Sequence, residues 1–358
     1  MTLTEVAPRR AGFHALRVAG VERLCDDAVA VTFDVPPDLA DAYRFRPGQF
    51  LTLRRTIGGR EERRSYSICA PAGAAPRIGV REIPDGLFSS WLVHDVRPGD
   101  AVEVLPPSGT FTLGATAAHH VLIAAGSGIT PVLSIAASAL ADPAARVTVL
   151  YGNRRSGTVM FADELADLKD AHPDRFELVH VLSREPREAE LFTGRLDAAK
   201  LRTLLPLIVP VADVGHWWLC GPLGMVTDAR DVLRGFGVPR DRVHQELFYV
   251  DEPPPEPNRK ESAPTGPACE VTVILDGRST TLTQPQDARI LDSAQRVRPD
   301  LPFACKGGVC GTCRARVVEG EADMRRNFAL EPSEVDAGYI LTCQSTPSTP
   351  RLTVDYDT

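Results

Sequence analysis

The chain has 358 residues, 43% apolar and 24% charged, with a formal net charge of −7. This is the composition of a globular protein too long for one hydrophobic core, and it fits two or three domains. No long Lys/Arg run or basic stripe appears, which argues against a nucleic-acid partner. The N-terminal stretch MTLTEVAPRRAGFHALRV lacks the apolar core of a secretory signal. Eight cysteines without such a signal point to thiols kept reduced, so a cytoplasmic protein is expected.

Residues 14 to about 113 alternate short β-type runs (VAVTFDV, QFLTLRR, PRIGVREI, AVEVLPP) with turns such as Pro47-Gly48 and Pro98-Gly99. That spacing predicts an antiparallel β-barrel in a first domain, 1–115. From His120 the pattern becomes β-α-β. HHVLIAA precedes a helix near 131–140, RVTVLYG one near 161–170, and, after FELVHVLS, HWWLCG precedes one near 222–234. A doubly wound parallel α/β sheet over 116–250 follows. Within it, residues 121–141 are uncharged and long enough to cross a bilayer. Gly126, Ser127, Gly128 and Pro131 instead divide them into strand, turn and helix, and no membrane is expected.

Residues 251–267 hold six prolines in seventeen positions and read as a semi-rigid linker. In a third domain, 268–358, EVTVILDGRSTTLT reads as a hairpin across Asp276-Gly277 and ILDSAQRV as a short helix. This domain carries ACKGGVCGTCRA, in which Cys305, Cys310 and Cys313 are spaced C-x4-C-x2-C, with Cys343 a further 30 residues on. A zinc clip, unligated thiols and a [2Fe–2S] cluster are all open on thiol content alone. The spacing favours the cluster, since plant-type ferredoxins share it and the second short knuckle usual in structural zinc sites is missing. Gly307, Gly308 and Gly311 suit a loop whose N–H groups must approach an anionic cluster. Cys25, Cys69 and Cys269 carry no motif and are expected to be buried free thiols.

RRSYS, residues 63–67, is by itself an ordinary strand end. Together with GLFS at 86–89, after IGVRE, it resembles the flavin motifs of the ferredoxin–NADP reductase superfamily. The resemblance implies FAD, with Arg64 on the pyrophosphate, Tyr66 against the isoalloxazine and ribityl, and Ser67 near flavin N5. It also implies Ser65, Val80 and Arg81 as cofactor-binding residues, and Gly86 and Ser89 at a helix N-terminus that receives phosphate. AAGSGITP, 124–131, resembles the superfamily's nucleotide loop and implicates Gly126, Ser127, Gly128, Thr130 and Pro131, with Ser127 and Thr130 as departures. LCGPLGM, 219–225, resembles its CGP motif, which implies that Cys220, with Gly221 and Pro222, packs beside nicotinamide C4. GNRRS and SRE bring Arg154, Ser183 and Arg184 to the counterpart of the 2′-phosphate site, so NADPH is expected over NADH; solvated loop arginines are the alternative. HQELFYV, 244–250, stands where the superfamily covers the flavin ring. Ser67, Cys220, Glu246 and Phe248 form the expected catalytic set, with core packing equally open for Phe248.

The order of flavin barrel, nucleotide domain and C-terminal ferredoxin domain, the last α+β and β-grasp-like, resembles the reductase components of bacterial oxygenases. ERRSYSICAP, LIAAGSGITP, LSREPREAELFTGRLD, FACKGGVCGTCRA and VDYD resemble, within that group, the reductase subunits of phenylacetyl-CoA epoxidases. The resemblance implies electron flow from NADPH through FAD and [2Fe–2S] to a di-iron oxygenase partner. A reductase for another oxygenase, such as 3-ketosteroid 9α-hydroxylase, is an alternative, and a non-catalytic electron-transfer or regulatory subunit is another. Arg314 and Arg316, beside Cys313, are candidates for docking the partner.

Overall fold

A computed structural model describes residues 12–57, 60–249 and 266–358. The expected linker therefore lies, except for its last two residues, outside the described residues. The chain divides into two compact units, within Phe13–Asp251 and within Glu252–Thr358.

The first unit opens with β1 (His14–Cys25), β2 (Ala28–Asp34), β3 (Phe50–Ile57), β4 (Arg60–Ser67), β5 (Arg77–Arg81), helix α1 (Leu87–His94) and β6 (Ala101–Val104). These six strands pair antiparallel in the order β4-β3-β6-β1-β2-β5. A bridge between Ile68, just past β4, and Ile78 of β5 joins the two edge strands and closes the barrel. The AVAVTFD run shows why β2 is buried on both faces. Val29, Val31 and Phe33 point into the barrel core, while Ala28 and Ala30 enter a second core shared with the sheet that follows. Small residues on that face let the two layers approach closely.

The second layer is β7 (His119–Ala125), α2 (Ile129–Leu140), β8 (Arg146–Asn153), α3 (Ala162–Ala171), β9 (Phe176–Leu182), α4 (Ala198–Ile208), β10 (His216–Pro222), α5 (Leu223–Gly235) and β11 (Val243–Tyr249). All five strands are parallel, in the order β11-β10-β7-β8-β9. The membrane-like stretch is thus β7, a turn and α2, and among the described residues no helix is long and apolar enough to cross a membrane. Helix α4 lies outside the sequence-based expectation. Pro206 inside it masks the pattern, but Asp197 caps it by accepting the Lys200 N–H, and Leu201, Leu204 and Leu205 bury its apolar face. The barrel and sheet are also clamped by polar contacts. Arg77 of β5 forks onto Glu164 of α3 with two bonds of 2.9 Å, and Ser134 of α2 donates to the Ala70 carbonyl at 2.6 Å.

At the N-terminal ends of the strands, the rings of His120, His216, Trp218 and His244 pack together. His244 stacks on Trp218 at 4.2 Å, the nearest nitrogens of His216 and His244 are 3.1 Å apart, and Trp218 Nε1 donates to His120 Nδ1 at 3.3 Å. Burial holds all three imidazoles below their usual range, His244 down to about 4. The unfolded chain takes up these protons near pH 6.5, whereas folded His244 resists until about 4. Stability from this cluster is therefore complete above 6.5 and is lost as pH falls toward 4. We expect the melting temperature to drop between pH 7.5 and 4.5, with His244→Phe showing a smaller drop than wild type. Identical drops in both proteins would refute this role.

The second unit contains β12 (Ala268–Leu275), β13 (Arg278–Pro285), α6 (Ile290–Ala294), β14 (Arg314–Glu319), β15 (Ala322–Met324), α7 (Pro332–Asp336), β16 (Tyr339–Leu341), β17 (Ser345–Pro347) and β18 (Arg351–Asp355). Its main sheet runs β13-β12-β18-β14-β16, with β12 and β18 parallel, and β15 and β17 form a separate ribbon. The hairpin falls across Asp276–Gly277 and the short helix at α6, both as the sequence suggests. Val271, Val273, Ile290, Leu291, Leu352, Val354 and Tyr356 form the core.

Candidate active site and cluster site

The end of β4 presents the RRSYS residues in alternation, as strand geometry requires. Arg63 and Ser67 are buried, whereas Arg64 is exposed. Arg64 is held by Glu62 at 2.9 Å and donates to the Arg63 carbonyl at 2.7 Å. Ser65 shares a 3.0 Å bond with Thr52. Tyr66 lies 6.2 Å from the Phe88 ring, and burial keeps its phenol protonated. Val80 is buried, and Gly86 stands immediately before α1. The Ser89 hydroxyl accepts from Ile83 N–H at 3.1 Å and donates to the Gly86 carbonyl at 3.0 Å, so it braces the turn. Among the described residues no side chain caps the first turn of α1. Its N–H groups remain available for an anion, which is what the phosphates of FAD require.

In the sheet, chain order reverses between β7 and β10, so the loops after these strands open at one crevice. The two loops touch. A Cβ on Gly128 would stand 2.2 Å from the Cys220 carbonyl oxygen, a contact that only glycine permits. Around it, Thr130 donates to the Ser127 carbonyl at 3.0 Å, Tyr151 donates to that of Gly126 at 3.0 Å, Pro131 is buried, and Pro222 precedes α5. As in α1, no side chain among the described residues caps α2 or α5.

The loops after β8 and β9 are stitched together by Arg184 N–H to the Arg154 carbonyl (2.8 Å), Ser183 Oγ to the Asn153 carbonyl (3.2 Å), and Ser156 N–H and Oγ to Glu185 (2.8 and 2.9 Å). Arg154, Ser183 and Arg184 thus come together. The Arg154 side chain, however, reaches Asp27 of the barrel at 2.9 Å. Arg81 pairs with the same Asp27 at 3.5 Å, donates to the Thr158 carbonyl and borders Gly126, so it faces the nucleotide loop. Asp27 belongs to no motif, and although Glu185 ends the SRE segment, no local signal in the sequence marks either as a partner.

Barrel and sheet meet chemically at Ser67, which donates to Glu246 at 3.0 Å. Glu246 of β11 stands opposite Cys220 of β10 in the parallel register. Burial raises its carboxyl to about 8, and the Ser67 bond offsets only part of that. Burial, reinforced by Glu246, raises the Cys220 thiol well above its usual range, so it is a neutral, buried thiol rather than a thiolate. Phe248 packs, half-buried, against the shared core.

In the second unit the four motif cysteines form two facing pairs, Cys305 with Cys310 and Cys313 with Cys343. The Thr342 N–H and hydroxyl both donate to the Cys313 carbonyl, at 3.2 and 3.0 Å, which brings Cys343 to its distant partner. Gly307 N–H donates to Cys305 Sγ at 3.3 Å, and the Val309 and Cys310 amides add to it. At Gly308 φ is +82°, and a Cβ would crowd Gln344 at 3.0 Å and the Arg326 carbonyl at 3.2 Å. Among the described residues no three His, Cys, Asp or Glu side chains converge on a single metal position. Two thiol pairs, one of them under amide donors, suit a binuclear cluster, in which each iron takes two thiolates, better than one zinc ion. Cys69 and Cys269 are buried free thiols and Cys25 is half-buried. Arg314 is occupied by Glu334 and lies over the Tyr339 ring at 4.4 Å, whereas Arg316 is exposed.

Three families match the chain: an oxidoreductase FAD-binding domain at 15–113, an oxidoreductase NAD-binding domain at 122–231, and a 2Fe-2S iron-sulfur cluster binding domain at 273–348. The chain is 41% identical to one of the subunits of the 1,2-phenylacetyl-CoA epoxidase of Escherichia coli, over 96% of this chain and 98% of that one. It is 34% identical to the ferredoxin reductase component of 3-ketosteroid-9-alpha-monooxygenase of Rhodococcus rhodochrous, over 99% and 100%. Among solved structures it superposes on phthalate dioxygenase reductase, described as modular for electron transfer from pyridine nucleotides to [2Fe-2S]. The TM-score is 0.61 and the identity 26%, covering 96% of this chain and 98% of that one.

Proposed function

This chain belongs to the iron–sulfur flavoprotein oxidoreductases that serve as reductase components of oxygenases, and we propose that it takes electrons from NADPH and delivers them to the di-iron phenylacetyl-CoA epoxidase in the cytoplasm. The observation that carries the redox reading is the Ser67–Glu246 bond beside Cys220, since it joins the flavin motif of the barrel to the nucleotide motif of the sheet. Bound FAD supplies the conversion between the two-electron chemistry of a nicotinamide nucleotide and the one-electron chemistry of an iron–sulfur cluster. The epoxidase as acceptor is supported by the 41% identity over nearly the whole chain.

Each group of residues has its own task. Arg64, now paired with Glu62, and the open first turn of α1 would hold the FAD phosphates, and Tyr66 would line the ring site. Gly126 to Pro131 and the first turn of α5 hold the nucleotide pyrophosphate, and Arg154, Ser183 and Arg184 read its 2′-phosphate. Buried Cys220 fixes the nicotinamide by packing, and Phe248 supports that wall from the core. Glu246 accepts the Ser67 hydroxyl's hydrogen bond and keeps its own carboxyl proton, so that at neutral pH this dry junction carries no net negative charge. Cys305, Cys310, Cys313 and Cys343 hold the cluster.

Glu246 makes the junction pH-sensitive. As pH rises through about 8 the carboxyl ionises, and a buried negative charge opposes adding electrons nearby. The same shift means that folded-state stability contributed by this proton is complete at acid pH and lost as pH rises toward 8. We expect the NADPH-dependent reduction rate to fall above pH 8 in wild type and to stay flat across that range in Glu246→Gln. Parallel profiles would remove Glu246 from this role. The functional reading itself is tested by NADPH-driven turnover with purified oxygenase subunits. Stimulation of phenylacetyl-CoA epoxidation supports it, whereas stimulation of a 3-ketosteroid monooxygenase alone reassigns the partner.

A further inference from the structure

We propose that Asp27 tunes the balance between NADPH and NADH by competing with the nucleotide's 2′-phosphate for Arg154. The inference rests on reading the loops after β8 and β9 as the adenosine end of an NADPH site.

Asp27 lies in the two-residue turn between β1 and β2, in the barrel and outside every cofactor motif. The turn is fixed there. Its carbonyl accepts Glu82 N–H at 2.8 Å, and its carboxylate accepts Cys25 Sγ at 3.2 Å. That one carboxylate serves two cations, Arg154 at 2.9 Å and Arg81 at 3.5 Å. Arg81 is only 14% exposed and is also held by the Thr158 carbonyl, so it has little freedom to leave. Arg154 differs. Its backbone is pinned between the two nucleotide loops by the Arg184 N–H, but its side chain is 48% exposed and turned toward the barrel.

Arg154 gives Nη2 to the Asp27 carboxylate, and a donor engaged there cannot be given at full strength to a phosphate as well. A bidentate grip on a 2′-phosphate that uses Nη2 therefore breaks or shares the Asp27 pair. NADH carries no such phosphate and leaves the pair intact. A partly exposed ion pair is weak, so the competition is worth at most about fivefold in affinity. That is enough to shift a preference without creating or abolishing it.

The test is kcat/KM for NADPH and for NADH with ferricyanide as acceptor, using the full-length FAD-loaded protein. Asp27→Asn keeps the shape and removes the charge. We expect it to raise the NADPH:NADH ratio about two- to fivefold through a lower KM for NADPH, with kcat unchanged. The gain should vanish in the Asp27→Asn/Arg154→Ala double variant, and Asp27→Glu should restore the wild-type ratio. If Asp27→Asn lowers kcat equally for both nucleotides, or leaves the ratio unmoved while Arg154→Ala lowers it, Asp27 only clamps the domains and this inference fails alone. If Arg154→Ala also leaves the ratio unmoved, the NADPH reading of these loops fails with it. Should Asp27→Asn lose flavin or fold poorly, Asp27→Ser supplies the same comparison.

Discussion

Replacing Cys343 by Ser should abolish electron delivery to the oxygenase while leaving NADPH–ferricyanide activity at the flavin within about twofold of wild type. Cys343 is buried, pairs with Cys313, and is drawn to it by two bonds from Thr342. Loss of a supporting contact to a metal ligand costs up to about 100-fold, and loss of the ligand itself should exceed that. The flavin and nucleotide motifs belong to the other compact unit, with a core of its own. Iron content per chain and the two activities, measured side by side, check the claim. Equal loss of both activities would mean that the units are not separate electron-transfer modules.

Gly128→Ala should damage the complementary half of the protein. The new methyl would meet the Cys220 carbonyl oxygen at 2.2 Å and its carbon at 2.6 Å, both backbone atoms that cannot swing away. The loops after β7 and β10 would have to separate at the crevice where the nucleotide motifs meet. Overpacking of this kind costs about 3 kcal/mol, which lowers the melting temperature of a unit this size by roughly 6–12 °C. We expect KM for NADPH to rise more than about tenfold, since near-attack geometry is sensitive to shifts of about 1 Å. Gly235→Ala, at the end of α5 with open space around its Cβ, is the control and should change neither quantity. Full activity in Gly128→Ala would show that the two loops need not touch.

The architecture was legible because its signals are local. A barrel of short strands, a β-α-β alternation and a C-x4-C-x2-C loop each lie within a few residues of sequence, and the structure shows the corresponding sheets and thiol pairs. What could not be read depends on partners far along the chain. Arg154 belongs to a nucleotide loop by position, yet its side chain answers to Asp27, 127 residues earlier. Arg77 looks like any strand-end arginine until Glu164 arrives from α3. Arg314 sits beside Cys313, which suggests docking, but Glu334 and Tyr339 engage its guanidinium and leave Arg316 as the exposed one of the two. Helix α4 was hidden for a different reason, because a proline in its last turns reads as a break when burial is unknown. Glu246 could be singled out by its place in the chain, but not its proton, which burial of both strands around it creates.

In the proposed electron path, NADPH reduces the flavin and the electrons pass on to a [2Fe–2S] cluster held by Cys305, Cys310, Cys313 and Cys343. Anaerobic titration of the purified protein with NADPH, followed by electron paramagnetic resonance and visible absorbance, tests it most directly. In the wild type the flavin bands should bleach and a reduced [2Fe–2S] signal should appear, with the signal absent in Cys343→Ser. A protein that binds zinc instead of iron, or one whose flavin bleaches while its iron signal never appears, would contradict it.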